Sequence, residues 1–209
     1  MNFLNNNNFF NFVETTHSTN LLLNEIVENN RNLPDFYCVT TNYQTAGKGQ
    51  GSKSWLSNIG ENILASFYFK PQILPPQQIY FNYFFALIIR EVLSQYVDNV
   101  MIKKPNDIYV GDKKIVGILI EHHIQGDMLK YSVAGVGINV NQTQFDPELP
   151  NPISLKLITG KEFNREKILE EIVQKGKKYY QKLQTGAFME LENEYESYVK
   201  IFKIEKKSD

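Results

Sequence analysis

Residues 99–141, "NVMIKKPNDIYVGDKKIVGILIEHHIQGDMLKYSVAGVGINVN", form a β-rich run whose turn signals, Gly111-Asp112 and Gly126-Asp127, fall between segments dense in Val, Ile and Tyr. A glycine-led pair supplies the positive φ that a tight hairpin needs. β-Branched and aromatic residues favour the half-buried pleated surface on either side. The stretch predicts an antiparallel meander, and a chain that commits so much of itself to one sheet must find helices to cover it.

The flanking sequence supplies them. "HSTNLLLNEIVENN" reads as a helix capped by Ser18 or Thr19, with Leu22, Leu23, Ile26 and Val27 on its apolar face. "PPQQIYFNYFFALIIREVLSQY" starts on proline and carries apolar residues at helical spacing, which predicts a long, nearly buried helix. After the meander come short and then long amphipathic helices, broken at Gly160 and Gly186. "FYCVTTN" and "NILASFYFK" read as strands, and the chain opens on an asparagine run, a solvated start, that leads into an aromatic strand toward Val13. The order is strand, helix, two strands, helix, hairpins, helices. This is an α+β layout, a mixed, mostly antiparallel sheet packed with helices.

At 209 residues and 42% hydrophobic composition the chain suits one domain with a sizeable core. Lys+Arg of 22 against Asp+Glu of 23 gives a formal net charge of -1, so neither nucleic acid nor a membrane is an expected partner. The longest apolar stretch, broken by Asn82, Arg90 and Glu91, is too short and too polar to span a bilayer. Cys38, the single cysteine, reads as a buried strand thiol. With no internal disulfide and no signal peptide, the expected compartment is the reducing cytoplasm. His17, His122 and His123 show no metal-ligand spacing, so no metal is expected from the protein alone.

Between the strands "FYCVTTN" and "NILASFYFK" lies "QTAGKGQGSKSW", residues 44–55. A long connection without structure of its own inside a compact domain is usually a binding loop or lid. Gly47, Gly49 and Gly51 permit close backbone approach and an anion-binding nest, Lys48 and Lys53 add positive charge, and Trp55, the only tryptophan, offers a flat face to an aromatic ring such as a purine. The pattern is neither a Walker loop nor a dinucleotide fingerprint. The same composition also suits a flexible exposed turn around a core tryptophan. Three further segments change that balance. Lys103, Asn106 and Asp107 precede a hairpin whose return begins with Lys114 and Gly117, Gly135 and Gly137 sit inside a strand that they weaken unless something must approach it, and "HSTN" opens a helix. Each has a plain structural reading, as a turn, a cap or a strand end at Asn139. The combination is harder to dismiss.

In this order, "HSTN", "YQTAGKGQGSKSW" with "GENILAS", "KKPNDIYVGDKKIVGILIE", "GVGINVN" and "ISLKLITGKEFNREKIL" resemble the catalytic domain of the biotin protein ligases over residues 10–185. The resemblance implies a fold like that of the class II aminoacyl-tRNA synthetases and a two-step reaction. Biotin and ATP, with Mg²⁺, give biotinyl-5′-AMP and pyrophosphate. The acyl group then passes to a lysine of the biotin carboxyl carrier protein of acetyl-CoA carboxylase. By the same resemblance Ser18, Thr19, Asn20 and Gln44 surround the biotin head, over a floor that includes Gly117 and Gly135. Gly47, Lys48, Gly49 and Gln50 close over the biotin carboxylate and α-phosphate, while Lys53 and Lys103 reach phosphate oxygens. Lys114 is the central catalytic lysine, with Asn106 and Asp107 beside the reacting centre and Asp107 as orienter or base. Trp55, Gly137 and Asn139 lie on the adenylate side.

The chemistry agrees with those roles. A carboxyl with a pKa of about 4 is already ionised at neutral pH. The first step must therefore overcome repulsion between two anions, which fixed cations and N–H donors relieve at about 3 kcal/mol per contact. Where several members carry an arginine-rich "GRGRRGR" loop, this chain has Lys48, Gln50, Gly51 and Lys53; lysine lacks the bidentate fork, which implies weaker retention of the adenylate. The tryptophan often found before Pro-Asn-Asp is Lys104 here. The resemblance sets residues 1–200 as the catalytic domain and 201–209 as a tail, with no preceding helix-turn-helix and without the small β-domain that usually follows. The rival readings are a lipoate or octanoyl ligase or transferase of the same fold, whose "RRxxGG" type motif is lacking here, and a non-catalytic biotin- or nucleotide-binding module. Oligomeric state is left open; the route to a homodimer that the sequence offers is pairing at an exposed edge of the "YSVAGVGINV" strand.

Overall fold

The chain runs through β1 (Phe10–Thr16), α1 (Thr19–Asn29), β2 (Tyr37–Gln44), β3 (Ile63–Phe69), a 3-10 turn (Pro75–Gln77), α2 (Gln78–Leu93), β4 (Val100–Lys103), β5 (Asp107–Val110), β6 (Lys113–Gln125), β7 (Met128–Ile138), α3 (Leu155–Thr159), α4 (Arg165–Gln184) and α5 (Phe188–Ser197). These elements come from a computed structural model that describes residues 9–30 and 32–200; the asparagine run at 2–8 and the tail expected at 201–209 lie outside the described residues. The seven strands form one sheet in the order β1-β2-β3-β7-β6-β5-β4. Only β1 and β2 pair in parallel, and every other neighbouring pair is antiparallel. The expected meander is present, with Gly111 and Gly126 at φ of 59° and 60° in its turns.

The two-residue period of the strands sorts the sheet into two faces. On one face Ile63, Ala65, Phe67 and Phe69 of β3 and Ala134, Val136 and Ile138 of β7 join α2, α4 and α5 in the main core. α2 is as buried as its sequence predicts, with nine apolar residues out of solvent. Phe69 packs edge-on against Phe81 and Phe84, with ring centroids at 5.3 and 5.4 Å. Burial of each such ring is worth about 2–3 kcal/mol. On the other face α1 lays Leu23 and Val27 on Val39, Tyr68, Tyr131 and Val133. α1 covers only part of that face. The remainder, floored by β5, β6 and β7, is open.

Two expectations change here. β7 is not an edge strand: β3 and β6 pair with it on both sides, so its backbone groups are already used and it offers no seam to a second subunit. The sheet edges are β1 and β4, and β4 is extended by Val199, whose neighbours exchange hydrogen bonds with Ile102. Ser18 does occupy the N-cap position of α1, but its side chain makes no capping hydrogen bond. A capping side chain contributes about 1 kcal/mol, and α1 forgoes it.

Candidate functional site

The uncovered part of the sheet carries a cavity of about 540 Å³, within the ordinary range for a small-molecule site. Of the residues given a place in the site above, all line it except Gly47, Gly51 and Asn106. Asn106 instead donates from Nδ2 to the Ile118 carbonyl at 2.6 Å, tying the Pro105-Asn106-Asp107 turn down onto β6. Gly47 is buried at the base of the loop and borders a second cavity of about 660 Å³ on the loop's far side.

The strand glycines make room first for the protein's own side chains. A Cβ at Gly135 would lie 2.3 Å from Asn20 Oδ1, one at Gly137 2.3 Å from Trp55 Cε2, and one at Gly117 2.6 Å from Trp55 Cζ3. The indole thus rests directly on the backbones of β6 and β7. Its Nε1 is buried without a hydrogen-bond partner among the described residues.

The glycine-lysine segment is not structureless. Gly49 N–H donates to Lys53 O at 2.7 Å, Trp55 N–H to Gly47 O at 2.9 Å, and Lys48 pairs with Ser54 as an antiparallel bridge. The result is a small hairpin with Gly51 at φ 65° in its turn. The Gly49 amide is therefore spent inside the hairpin and does not contribute to an anion-binding nest. Lys48 and Lys53 stand exposed on the rim. Where the loop returns to β3, Asn62 anchors it: its Oδ1 accepts from Val140 N at 2.9 Å and its Nδ2 donates to Ser57 Oγ at 3.0 Å and Gln142 Oε1 at 2.5 Å. Arg165 of α4 reaches over to the same corner, donating to the Asn62 carbonyl and Asn42 Oδ1.

Lys114 is held from both sides. The β5–β6 register shifts between Ile108 and Tyr109, a bulge that bends β6 where Lys114 leaves it. Its backbone N–H donates to Asn151 O at 2.8 Å, and its carbonyl accepts from Ile153 N at 3.0 Å. Its Nζ lies 2.8 Å from Asp107 Oδ1, both side chains being roughly a third exposed. Helix α5 braces the turn that carries Asp107, with Tyr195 Oη donating to Pro105 O at 2.7 Å and Lys104 paired with Glu196 at 2.5 Å. That is the part Lys104 plays.

At the other end of the cavity the start of α1 meets β2 and β3. Thr19 N–H donates to Gln44 Oε1 at 2.8 Å, and the Thr19 hydroxyl lies 3.1 Å from the same oxygen. Ser66 Oγ sits 2.7 Å from Thr19 Oγ1 and 2.6 Å from Asn20 Oδ1, while Asn20 Nδ2 donates to Glu121 Oε2 at 3.0 Å. Ser66 and Glu121 close the stretches "GENILAS" and "KKPNDIYVGDKKIVGILIE", yet sequence reasoning gave neither a role, and it missed the segment from Phe145 to Pro152 that walls the cavity with Asp146 and Glu148. The signals for Ser66 were its place at the end of "GENILAS" and its being a small polar residue beside the aromatics of "ASFYF".

Elsewhere, Cys38 is fully buried on β2, and burial pushes its thiol well above the ordinary cysteine range, so it is inert. Among the described residues no group of three His, Cys, Asp or Glu is arranged to hold a metal ion, and no helix is long and apolar enough to cross a membrane.

Residues 10–139 match the model of the Biotin/lipoate A/B protein ligase family. The chain is 31% identical over 173 residues to the bifunctional ligase/repressor BirA of Bacillus subtilis, a match that takes in 81% of this chain and 53% of that protein, so the chain spans about half the length of this relative. Among solved structures it resembles the Aquifex aeolicus biotin protein ligase in complex with biotin and ATP, with a TM-score of 0.76 and 24% identity over 92% of this chain and 79% of that one. The Leishmania major biotin protein ligase in complex with biotin gives a TM-score of 0.76 at 20% identity, covering 97% of this chain and 86% of the other. At these identities the two structures establish a shared fold.

Proposed function

The chain belongs to the Biotin/lipoate A/B protein ligase family, and from that premise we propose that it is an ATP-dependent biotin–[acetyl-CoA-carboxylase] ligase of the cytoplasm, with residues 1–200 as the catalytic unit and a biotin carboxyl carrier domain as its protein partner. The observation that carries this reading is Lys114, a cation fixed on a clamped strand between the polar pocket at Thr19 and the lysine-bearing hairpin.

In the first step a biotin carboxylate oxygen bonds to the α-phosphorus of ATP as the bond from that phosphorus to the bridging oxygen breaks, and pyrophosphate leaves. Mg²⁺ enters with the nucleotide as part of the substrate. Lys114 offsets the charge of the approaching anions, and Lys48, Lys53 and Lys103 on the same cavity wall meet phosphate oxygens. Trp55, seated on Gly117 and Gly137, shields the anhydride from water. The polar cluster of Ser18, Thr19 and Gln44 receives the biotin ring. In the second step the carrier lysine attacks the acyl carbon, the C–N bond forms, the C–O bond to phosphate breaks, and AMP leaves. An amine of pKa about 10.4 is neutral in roughly one molecule in a few thousand at pH 7, so a base is needed. Asp107 is that base once Lys114 swings toward the phosphate and releases it.

Biotin-dependent exchange of radiolabelled pyrophosphate into ATP, followed by acid-stable transfer of labelled biotin to a carrier domain, tests the proposal. Lipoate transfer in place of biotin, or binding of biotin without exchange, would sink it.

A further inference from the structure

Around Thr19 and Ser66 two hydroxyl protons face three short oxygen–oxygen contacts: Thr19 Oγ1 to Gln44 Oε1 at 3.1 Å, Ser66 Oγ to Thr19 Oγ1 at 2.7 Å, and Ser66 Oγ to Asn20 Oδ1 at 2.6 Å. Each hydroxyl carries a single proton, so one contact goes without. Both amides are fixed from outside the trio. The Thr19 backbone N–H, 2.8 Å from Gln44 Oε1, requires an oxygen there. Asn20 Nδ2 faces two acceptors, Glu121 Oε2 at 3.0 Å and the Leu119 carbonyl at 3.4 Å, so a flipped amide would set oxygen against oxygen. Asn24 Nδ2 also donates to Glu121 Oε2, at 3.3 Å. Asn20 must therefore present its oxygen to Ser66. Ser66 then spends its proton on Asn20, and Thr19 spends its own on Ser66. Ser66, Thr19 and Asn20 are 0%, 4% and 3% exposed, which leaves little room for water to rearrange the order.

We propose that Glu121, a positioning residue behind the cavity wall, sets the direction of this relay, so that Thr19 Oγ1 and Gln44 Oε1 stand 3.1 Å apart as a pair of acceptors missing one proton. The ligand supplies it. The site thereby selects a head group with an N–H donor, such as a cyclic urea, over a ring of the same size that has none, such as a dithiolane. This rests on the reading of biotin as substrate and deepens it, because it assigns the choice of ring to residues that do not line the cavity.

Neutron diffraction from ligand-free crystals and calorimetry of variants test the inference together. Deuterons between Thr19 and Ser66 and between Ser66 and Asn20 support it. A deuteron between Thr19 and Gln44 overturns it, whatever ligand the protein takes. Ser66→Ala and Glu121→Leu are expected to weaken biotin binding about tenfold, the worth of one misdirected buried hydrogen bond, without weakening ATP. Glu121→Gln, which keeps an acceptor in place, is expected to restore most of what Glu121→Leu loses. Unaltered biotin affinity in Ser66→Ala, or equal losses for biotin and ATP, overturns the inference. Wild-type protein that takes up no biotin refutes the proposed function instead, and the deuteron positions still decide the relay.

Discussion

An ammonium 2.8 Å from a carboxylate, each about a third exposed, holds the fold together only weakly; such pairs contribute about 1 kcal/mol or less. Lys114→Ala is therefore expected to lower biotin-dependent pyrophosphate exchange by roughly a hundredfold or more while leaving the melting temperature nearly unchanged. Asp107→Asn is expected to slow transfer from preformed adenylate to the carrier more than it slows exchange, and equal transfer rates in variant and wild type would remove Asp107 as the base. A second residue titrates usefully. Burial, and then the neighbouring charge of His123, pushes His122 down from 6.5 to about 4. The buried neutral ring thus adds stability in full above about pH 6.5, and that stability drains away as pH falls toward 4, because the unfolded chain takes the proton first. A loss of about 2 kcal/mol over that window, after allowance for solvent screening, is expected in urea unfolding, and His122→Asn should flatten the slope. At this scale the sequence was most legible where chemistry is local. Lys114 and Asp107 stand out in "PNDIYVGDKK", whereas Ser66 and Glu121, at the ends of their motif stretches, gain a role only through their contacts with Asn20 of α1, which no local pattern reveals.

The hairpin between β2 and β3 illustrates what pattern reading misses. Glycines and lysines there predict a loop free of structure, yet backbone bonds such as Gly49 to Lys53 and Trp55 to Gly47 fold it back on itself, since any residue type supplies the N–H and C=O groups of a ladder. The strand glycines were legible as points of close approach, but not that Trp55 and Asn20 are what approaches. The hairpin's rigidity depends on the Asn62 corner, where one fully buried amide serves Val140, Ser57 and Gln142. Asn62→Ala leaves those partners unmet, at a cost of about 2 kcal/mol. It should lower the urea midpoint and open residues 45–60 to limited proteolysis; protection equal to that of wild type would mean the loop is anchored elsewhere.

Across the whole molecule the cavity gathers α1, the hairpin, β5 to β7 and the segment after residue 144, so the parts that must stay together are spread along the chain. The α+β class and the meander were readable from periodicity. The parallel β1–β2 pair and the place of β7 in the middle of the sheet were not, because strand order is set by long-range pairing that leaves no local trace. A site assembled from distant elements couples ligand binding to global stability: biotin alone at a hundred times its dissociation constant should add about 2.7 kcal/mol, a rise of several degrees in melting temperature. The seating of Trp55 on Gly117 and Gly137 has an optical consequence as well, for this is the chain's sole indole. Ultraviolet emission excited at the red edge, beyond tyrosine absorption, thus arises from one spot against the strands that floor the pocket. The unlabelled molecule carries its own lamp, expected to dim or shift in colour when a ligand comes to lie against that ring.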